Sequence, residues 1–376
     1  MKVLSIIFVG LIFQSVLIAA DSQLIFKGHL SAFANYNRSS DFELYSGFRA
    51  LPQLNYLQPL GEEGLLDFEF SANAYAQAAA DFSDSSYFDG KVKPYRIWGR
   101  YSNEQFELRI GLQKMDFGQA MLLRPLRWFD TVDPRDPLGL SDGVYAALAR
   151  YYFLDNTNVW LWGLYGNEGT KGLEILANSS SSLEYGARVQ SLMFGGEMGL
   201  SYHHRKADTS PYSSYTVSDE HRFGFDARWE FLLGLYLEGM WLSTEHNIGY
   251  LRHQHYLTFG SDYTFPLGNG VYTVLEHMIM GFGEEAFHAE ESLHLTAFQM
   301  SYSLGILDQL ATVFYYDWAH QDAYSLVNWH RQYDRLSCYL MAYWNPKEAL
   351  LMMPGMDSSQ YLFLGKGVQA MLVWNF

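Results

Sequence analysis

The chain has 376 residues, 25 Lys and Arg against 41 Asp and Glu, and a formal net charge of −16. That balance argues against nucleic-acid binding, since no broad basic surface is there to neutralise phosphates. Aromatic residues make up 17% of the chain while mean hydropathy is only −0.12, and past the N-terminus no apolar run is long enough for a transmembrane helix, which excludes a helical membrane protein.

The chain opens with Met1-Lys2, an apolar run from Val3 to Ile18, and then Ala19-Ala20-Asp21. A charged start, an apolar core and a small residue at the junction predict a secretory signal peptide over 1–20, cleaved after Ala20. The alternative is an uncleaved anchor helix. Either way the remainder, 21–376, is exported and reads as one domain without repeats or linkers.

Alternation of apolar and polar residues begins at once. Leu24, Phe26, Leu30, Ala32 and Tyr36 share one face, with Lys27, His29, Ser31 and Asn35 on the other. The same period of two marks 44–56, 66–77, 106–113, 183–190 and 222–231. It is weaker at 92–102, 143–154, 157–166, 195–205, 233–244, 253–265, 270–282, 293–304, 308–318 and 333–345, and it ends at 361–376. Runs of about ten residues suit tilted membrane-crossing strands. Short connections such as Leu60–Gly64, Leu154–Thr157 and Pro266–Gly270 alternate with longer polar ones at Ala80–Lys91, Asn167–Ser181, Arg205–Glu220, Gly283–Glu291 and Asp317–Trp329. The predicted fold is all-β: a transmembrane antiparallel up-and-down β-barrel of roughly sixteen strands, with a range of about fourteen to eighteen. In the bilayer core every backbone N–H and C=O must be paired, and only a closed barrel removes the edges of a sheet.

One stretch breaks the alternation. From Gly111 to Gly143, Pro125, Pro134 and Pro137 forbid a central strand, yet Met121, Leu122, Leu123, Leu126, Trp128, Phe129, Leu138 and Leu140 are too apolar for a surface loop. A long insertion of this kind, at about 114–142, is expected to fold into the barrel or over its mouth. Between Lys91 and Arg150 there are ten basic residues against seven acidic ones, so the rest of the chain is strongly acidic. Strand phase turns Arg96, Arg100 and Arg109 inward, because charge is costly on the lipid face. With Arg124 and Arg127 they are the candidate constriction residues, facing Glu107, Asp116, Asp130, Asp133 and Asp136. If the arginines are uncompensated, the lumen favours anions; if they pair with Glu69, Glu107, Glu184, Glu230 and the aspartates, they stiffen the wall.

No metal or cofactor site is expected. Three aspartates at 130, 133 and 136 lack a calcium-loop pattern, the pairs His203-His204 and His253/His255 offer two ligands at most, and the lone Cys338 forms no internal disulfide. Catalytic motifs are absent too; His294, Ser292 and Ser301 are only raw material for a hydrolase.

At the C-terminus Val368, Ala370, Leu372, Trp374 and Phe376 fall on one face, and Phe376 is the last residue. This resembles the closing strand of bacterial outer-membrane porin-like barrels, whose terminal aromatic is read by the barrel-assembly machinery; the resemblance implies that role for Trp374 and Phe376. The insertion, with its Gly-Leu-Gln, Phe-Gly, Pro and Asp-Pro-Arg-Asp-Pro elements, is similar over about thirty residues to a stretch in some outer-membrane porins and exporters. Together these imply a multi-pass barrel in the bacterial outer membrane, contacting its lipid, for passive diffusion of small hydrophilic solutes, anions among them, and able to form homo-oligomers. The competing expectations are a non-conducting scaffold for an export complex and, further off, a barrel hydrolase. Tyr101, Trp241, Trp318, Trp344 and Trp374 are expected at headgroup level in each case.

Overall fold

Period-two strands with one apolar face have nowhere to stop in a bilayer until the last pairs with the first. The computed structural model, which describes residues 22–38, 42–80, 86–130, 137–179, 181–346 and 363–376, has that closure. The expected signal peptide, Asp133 and Asp136 lie outside the described residues. The strands are β1 (Gln23–Asn37), β2 (Leu44–Leu60), β3 (Gly64–Ala80), β4 (Ser86–Ser102), β5 (Phe106–Gln113), β6 (Val144–Tyr152), β7 (Asn158–Leu164), β8 (Glu184–Met193) and β9 (Gly196–Asp208), followed by β10 (Val217–Glu230), β11 (Gly234–Thr244), β12 (His253–Phe265), β13 (Val271–Gly283), β14 (Glu291–Ser303), β15 (Asp308–Asp317), β16 (Asp322–Gln332), β17 (Leu336–Trp344) and β18 (Lys366–Asn375).

Each strand pairs antiparallel with its sequence neighbours, and β18 pairs with β1 from His29↔Asn375 to Asn37↔Gly367, so one 18-stranded sheet closes on itself. The expected count was about sixteen. The alternating stretches named above number seventeen, and the strand without one is β16, most of which lies in the stretch expected to be the loop Asp317–Trp329. Its two faces, Tyr324, Leu326, Asn328 and His330 against Ser325, Val327, Trp329 and Arg331, are each part apolar and part polar, so alternation does not register.

Register fixes which side chains share a face. Outward go Leu24, Phe26, Phe48, Phe70, Val92, Ile110, Leu161, Leu200, Phe223, Phe259, Leu275, Leu340 and Leu372, all exposed, as a lipid-facing band requires. Inward go Asn35, Arg49, Asp67, Glu69, Arg100, Glu107, Arg188, Arg222 and Glu276. Cys338 faces outward opposite Leu372, half-buried. One end of the barrel holds the short turns, the start of β1 and the end of β18; the other holds the long connections. The expected girdle aromatics all face outward but divide between the ends: Tyr101 and Trp374 at the turn end, Trp241, Trp318 and Trp344 at the loop end. Five successive turns, from β6–β7 to β14–β15, carry large apolar tips, among them Leu154 at 93% exposure, Phe194, Leu232, Leu267 and Ile306.

At the closure Gly28 and Phe376 exchange backbone hydrogen bonds of 3.0 and 3.1 Å, and the Phe376 ring lies 5.5 Å from Phe26 and 5.6 Å from Trp374. A Cβ on Gly28 would fall on Leu51 O and against the Phe376 ring. Gly28→Val should therefore strain closure by about 1–3 kcal/mol, the usual cost of overpacking. The check is the fraction of refolded protein with heat-shifted gel mobility; an unchanged fraction and unchanged melting would contradict the packing described for the closure.

Candidate functional site

The insertion lies inside the barrel. Having left ladder geometry, its backbone carries N–H groups with no strand to receive them, and burying such groups without acceptors is costly. Two wall carboxylates receive them. Glu276 accepts from Met121 N at 2.6 Å and Leu122 N at 3.1 Å, and also from Leu123 N. Glu238 accepts from Ala120 N at 2.8 Å and Leu126 N at 2.7 Å. Tyr236 donates its hydroxyl to Glu276 at 2.8 Å, and Thr258 donates to Leu123 O at 2.8 Å. Both carboxylates are wholly buried, and among the described residues neither has a cation within ion-pair distance. Gly118, at φ +105°, lets the chain approach: a Cβ there would overlap the Glu238 carboxylate.

Apolar packing does the rest. Leu122 and Leu123 are buried with Tyr236, Val274, Met278, Leu295, Ala297, Tyr315 and Tyr324. Leu126, Trp128 and Phe129 are buried with Trp162, Met240, Leu242, Tyr256 and Phe282, and Trp128 Nε1 donates to Met240 Sδ at 3.0 Å. Each such side chain contributes about 1.5–3 kcal/mol when withdrawn from water. Val144, Ala146 and Leu148 of β6 belong to the same cluster as Trp128, and the insertion thus lies on the inner wall from β6 to β16.

The expected constriction residues separate into groups. Arg96 is not a free pore cation. It donates to Ser141 O, Ser141 Oγ and Asp142 O at 2.9, 3.2 and 3.1 Å, clamping the trailing end of the insertion to β4. A bulge after Ser71 makes this possible by placing Arg96, Lys93 and Lys91 on one face. Arg100, Arg109 and Glu107 cluster near the turn end, with Arg150 as a fourth member not foreseen. Arg124 pairs with Asp116 and Arg127 with Asp130, within the insertion. Burial works to raise the Asp116 carboxyl, but hydrogen bonds and charge from Arg124 outweigh it and hold that group low; for Asp130 burial wins over Arg127 and raises it. Pairing also holds elsewhere: Arg188 with Asp226, Arg222 with Glu220, Arg228 with Glu230 and Asp262. Beneath the β7–β8 connection, buried Arg205 meets Glu174 and Glu220. Glu238 and Glu276 were not foreseen as holding the insertion, although each is an acid on the inward phase of an otherwise apolar strand.

The histidines split as their phase dictates. His203 points inward, 3.3 Å from Glu184 and accepting from Trp162 Nε1 at 3.2 Å; His204, His253 and His255 face outward. His294 meets His277 at 3.4 Å, and Ser301 belongs to the opposite face. Ser218 lies 3.2 Å from His246 but is 1% exposed, and its hydroxyl turns to the Asp219 carbonyl, so no accessible nucleophile stands beside a base there.

No protein-family model matches the chain, and no curated protein sequence matches it. Solved structures do. OccAB1 of Acinetobacter baumannii is 10% identical with a TM-score of 0.56, over 95% of this chain and 96% of that one. OccK7 (OpdD) of Pseudomonas aeruginosa is 10% identical with a TM-score of 0.55, over 95% and 99%. The outer membrane channel DcaP of Acinetobacter baumannii is 12% identical with a TM-score of 0.50, over 96% and 99%. The chain has the closed-barrel fold of these outer-membrane proteins.

Replacing Glu276 by Ala should leave three insertion N–H groups without their acceptor and destabilise the insertion by about 2–5 kcal/mol. The expected readout is new proteolytic cleavage near 120–126 in a barrel that keeps its heat-shifted mobility. Glu276→Gln, which keeps an acceptor oxygen, should be milder. Equal protease resistance of the Ala variant and the wild type would show that apolar packing alone holds the segment.

Proposed function

We propose that this protein is a diffusion channel of the bacterial outer membrane for small hydrophilic solutes, with a preference for anions. The observation that carries the reading is the one-sided placement of the insertion. Its contacts fall on the inner wall from β6 to β16 and, through Arg96 and Lys93, on β4. The inner faces of β1 to β5, and of β6 at its turn end, keep polar and charged side chains, among them Lys27, Arg49, Gln53, Asn55, Arg100, Arg109 and Arg150. A wall of this chemistry suits water and solute rather than packed protein, and basic side chains lining it favour anions. Passage needs weak successive contacts and no bond-making.

The test is single-channel recording in a planar bilayer under a KCl gradient, with protein lacking Met1–Ala20. Stepwise conductance is expected, with a reversal potential on the side that marks chloride as the more permeant ion. The double variant Arg100→Ala with Arg109→Ala should move that potential toward cations. Heat-shifted, folded protein without conductance would sink the channel reading.

A further inference from the structure

We infer that Arg100, Arg109 and Arg150 form an oxyanion site at the turn-end mouth of the lumen, and that its ligand is a doubly charged tetrahedral oxyanion of the phosphate or sulfate type. The inference rests on the channel reading and names the ligand class at one place in it.

Three neighbouring strands supply the three arginines. Register sets Arg100 of β4 directly opposite Arg109 of β5, and Arg150 of β6 opposite Glu107 of β5. Like charges directly opposite across an antiparallel pair are unfavourable, so something of opposite sign belongs between them. Glu107 supplies part of it, at 3.1 Å from Arg109, 3.4 Å from Arg100 and 3.5 Å from Arg150. Asp67 takes the fork of Arg100 in two bonds of 2.9 Å. Glu69 is the next inward acid, opposite Trp98, where it accepts from Ser71 at 3.4 Å. Three arginines thus surround two carboxylates, while the charge of Glu69 is shared among Arg96, Lys27 and Arg109, which leaves the cluster with net positive charge.

Layering gives the excess its direction. The arginine side chains keep 26%, 17% and 16% of their surface, whereas Glu107 and Asp67 keep 9% and 10%. The carboxylates lie beneath and the guanidinium groups form the surface that a solute meets. Two are held by aromatic rings: Arg109 lies over Trp98 at 4.8 Å and Arg150 over Trp160 at 3.8 Å. Stacking fixes each plane without using its N–H donors.

Those donors are in surplus. Each guanidinium carries five N–H groups. Arg150 makes one long bond to Glu107, Arg109 meets Glu107 only as an ion pair, and the Nε of each is buried without an acceptor. A carboxylate can satisfy one fork in a plane. A tetrahedral oxyanion offers four oxygens in different directions and twice the charge, which matches donors converging from three strands.

The experiment uses the same bilayer channels in KCl, titrated on both sides with sodium phosphate, sodium sulfate or sodium acetate. Phosphate and sulfate should reduce the chloride current reversibly, with half-effect concentrations about tenfold below that of acetate, one factor of ten being the scale of a single charge-assisted hydrogen bond. Arg109→Ala with Arg150→Ala should raise the phosphate and sulfate values about tenfold and leave acetate nearly unchanged. Arg109→Lys, which keeps charge but loses the fork, should give an intermediate value, with heat-shifted mobility confirming each fold. Equal potency of acetate and phosphate would overturn the tetrahedral assignment, and phosphate potency indifferent to Arg109 and Arg150 would overturn the site. If the folded protein does not conduct, phosphate titration by calorimetry in detergent decides separately: heat lost in the double variant upholds the site without the channel, and no heat with wild type overturns it.

Discussion

A chain that leaves ladder geometry inside a membrane barrel must find acceptors for its backbone before it can stay there. Glu238 and Glu276 meet that demand, and the rest of the lumen is arranged around the result. Five consecutive or near-consecutive N–H groups of the insertion converge on two wholly buried carboxylates. The donors are neutral, so oriented backbone dipoles face both carboxylates, and at Glu238 the charge of Arg124 adds to them. Charge-assisted bonds of this kind are about twice as strong as neutral ones. That strength lets a proline-broken segment hold one conformation where no strand supports it.

The placement of those acids decides which side of the lumen the insertion fills. They stand on β11 and β13, so the insertion is drawn against that side, and its leucines and aromatics fill the hollow beside them. Arg96 holds the trailing end on β4. The wall that the insertion does not cover is the one with inward lysines and arginines. Paired arginines elsewhere, such as Arg188 with Asp226 and Arg222 with Glu220, are buried and serve the architecture. Arg100, Arg109 and Arg150 are paired as well, with Asp67 and Glu107, but they keep part of their surface, so burial rather than pairing separates the two sets.

The barrel was readable in the sequence because its physics has period two. Leu24 to Tyr36, Leu66 to Ala76 and the terminal run to Phe376 each expose one face to lipid, and that constraint is local. Strand β16 escaped notice because its neighbours inside the lumen are apolar too, Leu326 beside Phe363 and Tyr324 beside the insertion cluster, which erases the polar phase. The presence of an insertion was plain from its prolines. Its attachment was not, since Glu276 lies more than 150 positions from Met121 and no spacing rule joins them. Likewise, phase alone could turn Arg96 inward but could not reveal that its donors are consumed by Ser141 and Asp142. Whether an arginine is spent on structure or available to solute depends on its acceptors, which are non-local.

The apolar turn tips bear on how the barrel sits. From β6 to β15 the lipid-facing surface does not end with the ladders but continues through Leu154, Phe194, Leu232, Leu267 and Ile306. The turns joining β2 to β3 and β4 to β5 instead carry Glu62, Glu63 and Glu104, and the strands there, β2 to β4, run to 17 residues each. A bilayer boundary follows chemistry rather than the barrel rim. The apolar boundary at the turn end is therefore uneven, reaching past the ladders along the β6–β15 arc and stopping short of the acidic turns along β2–β5.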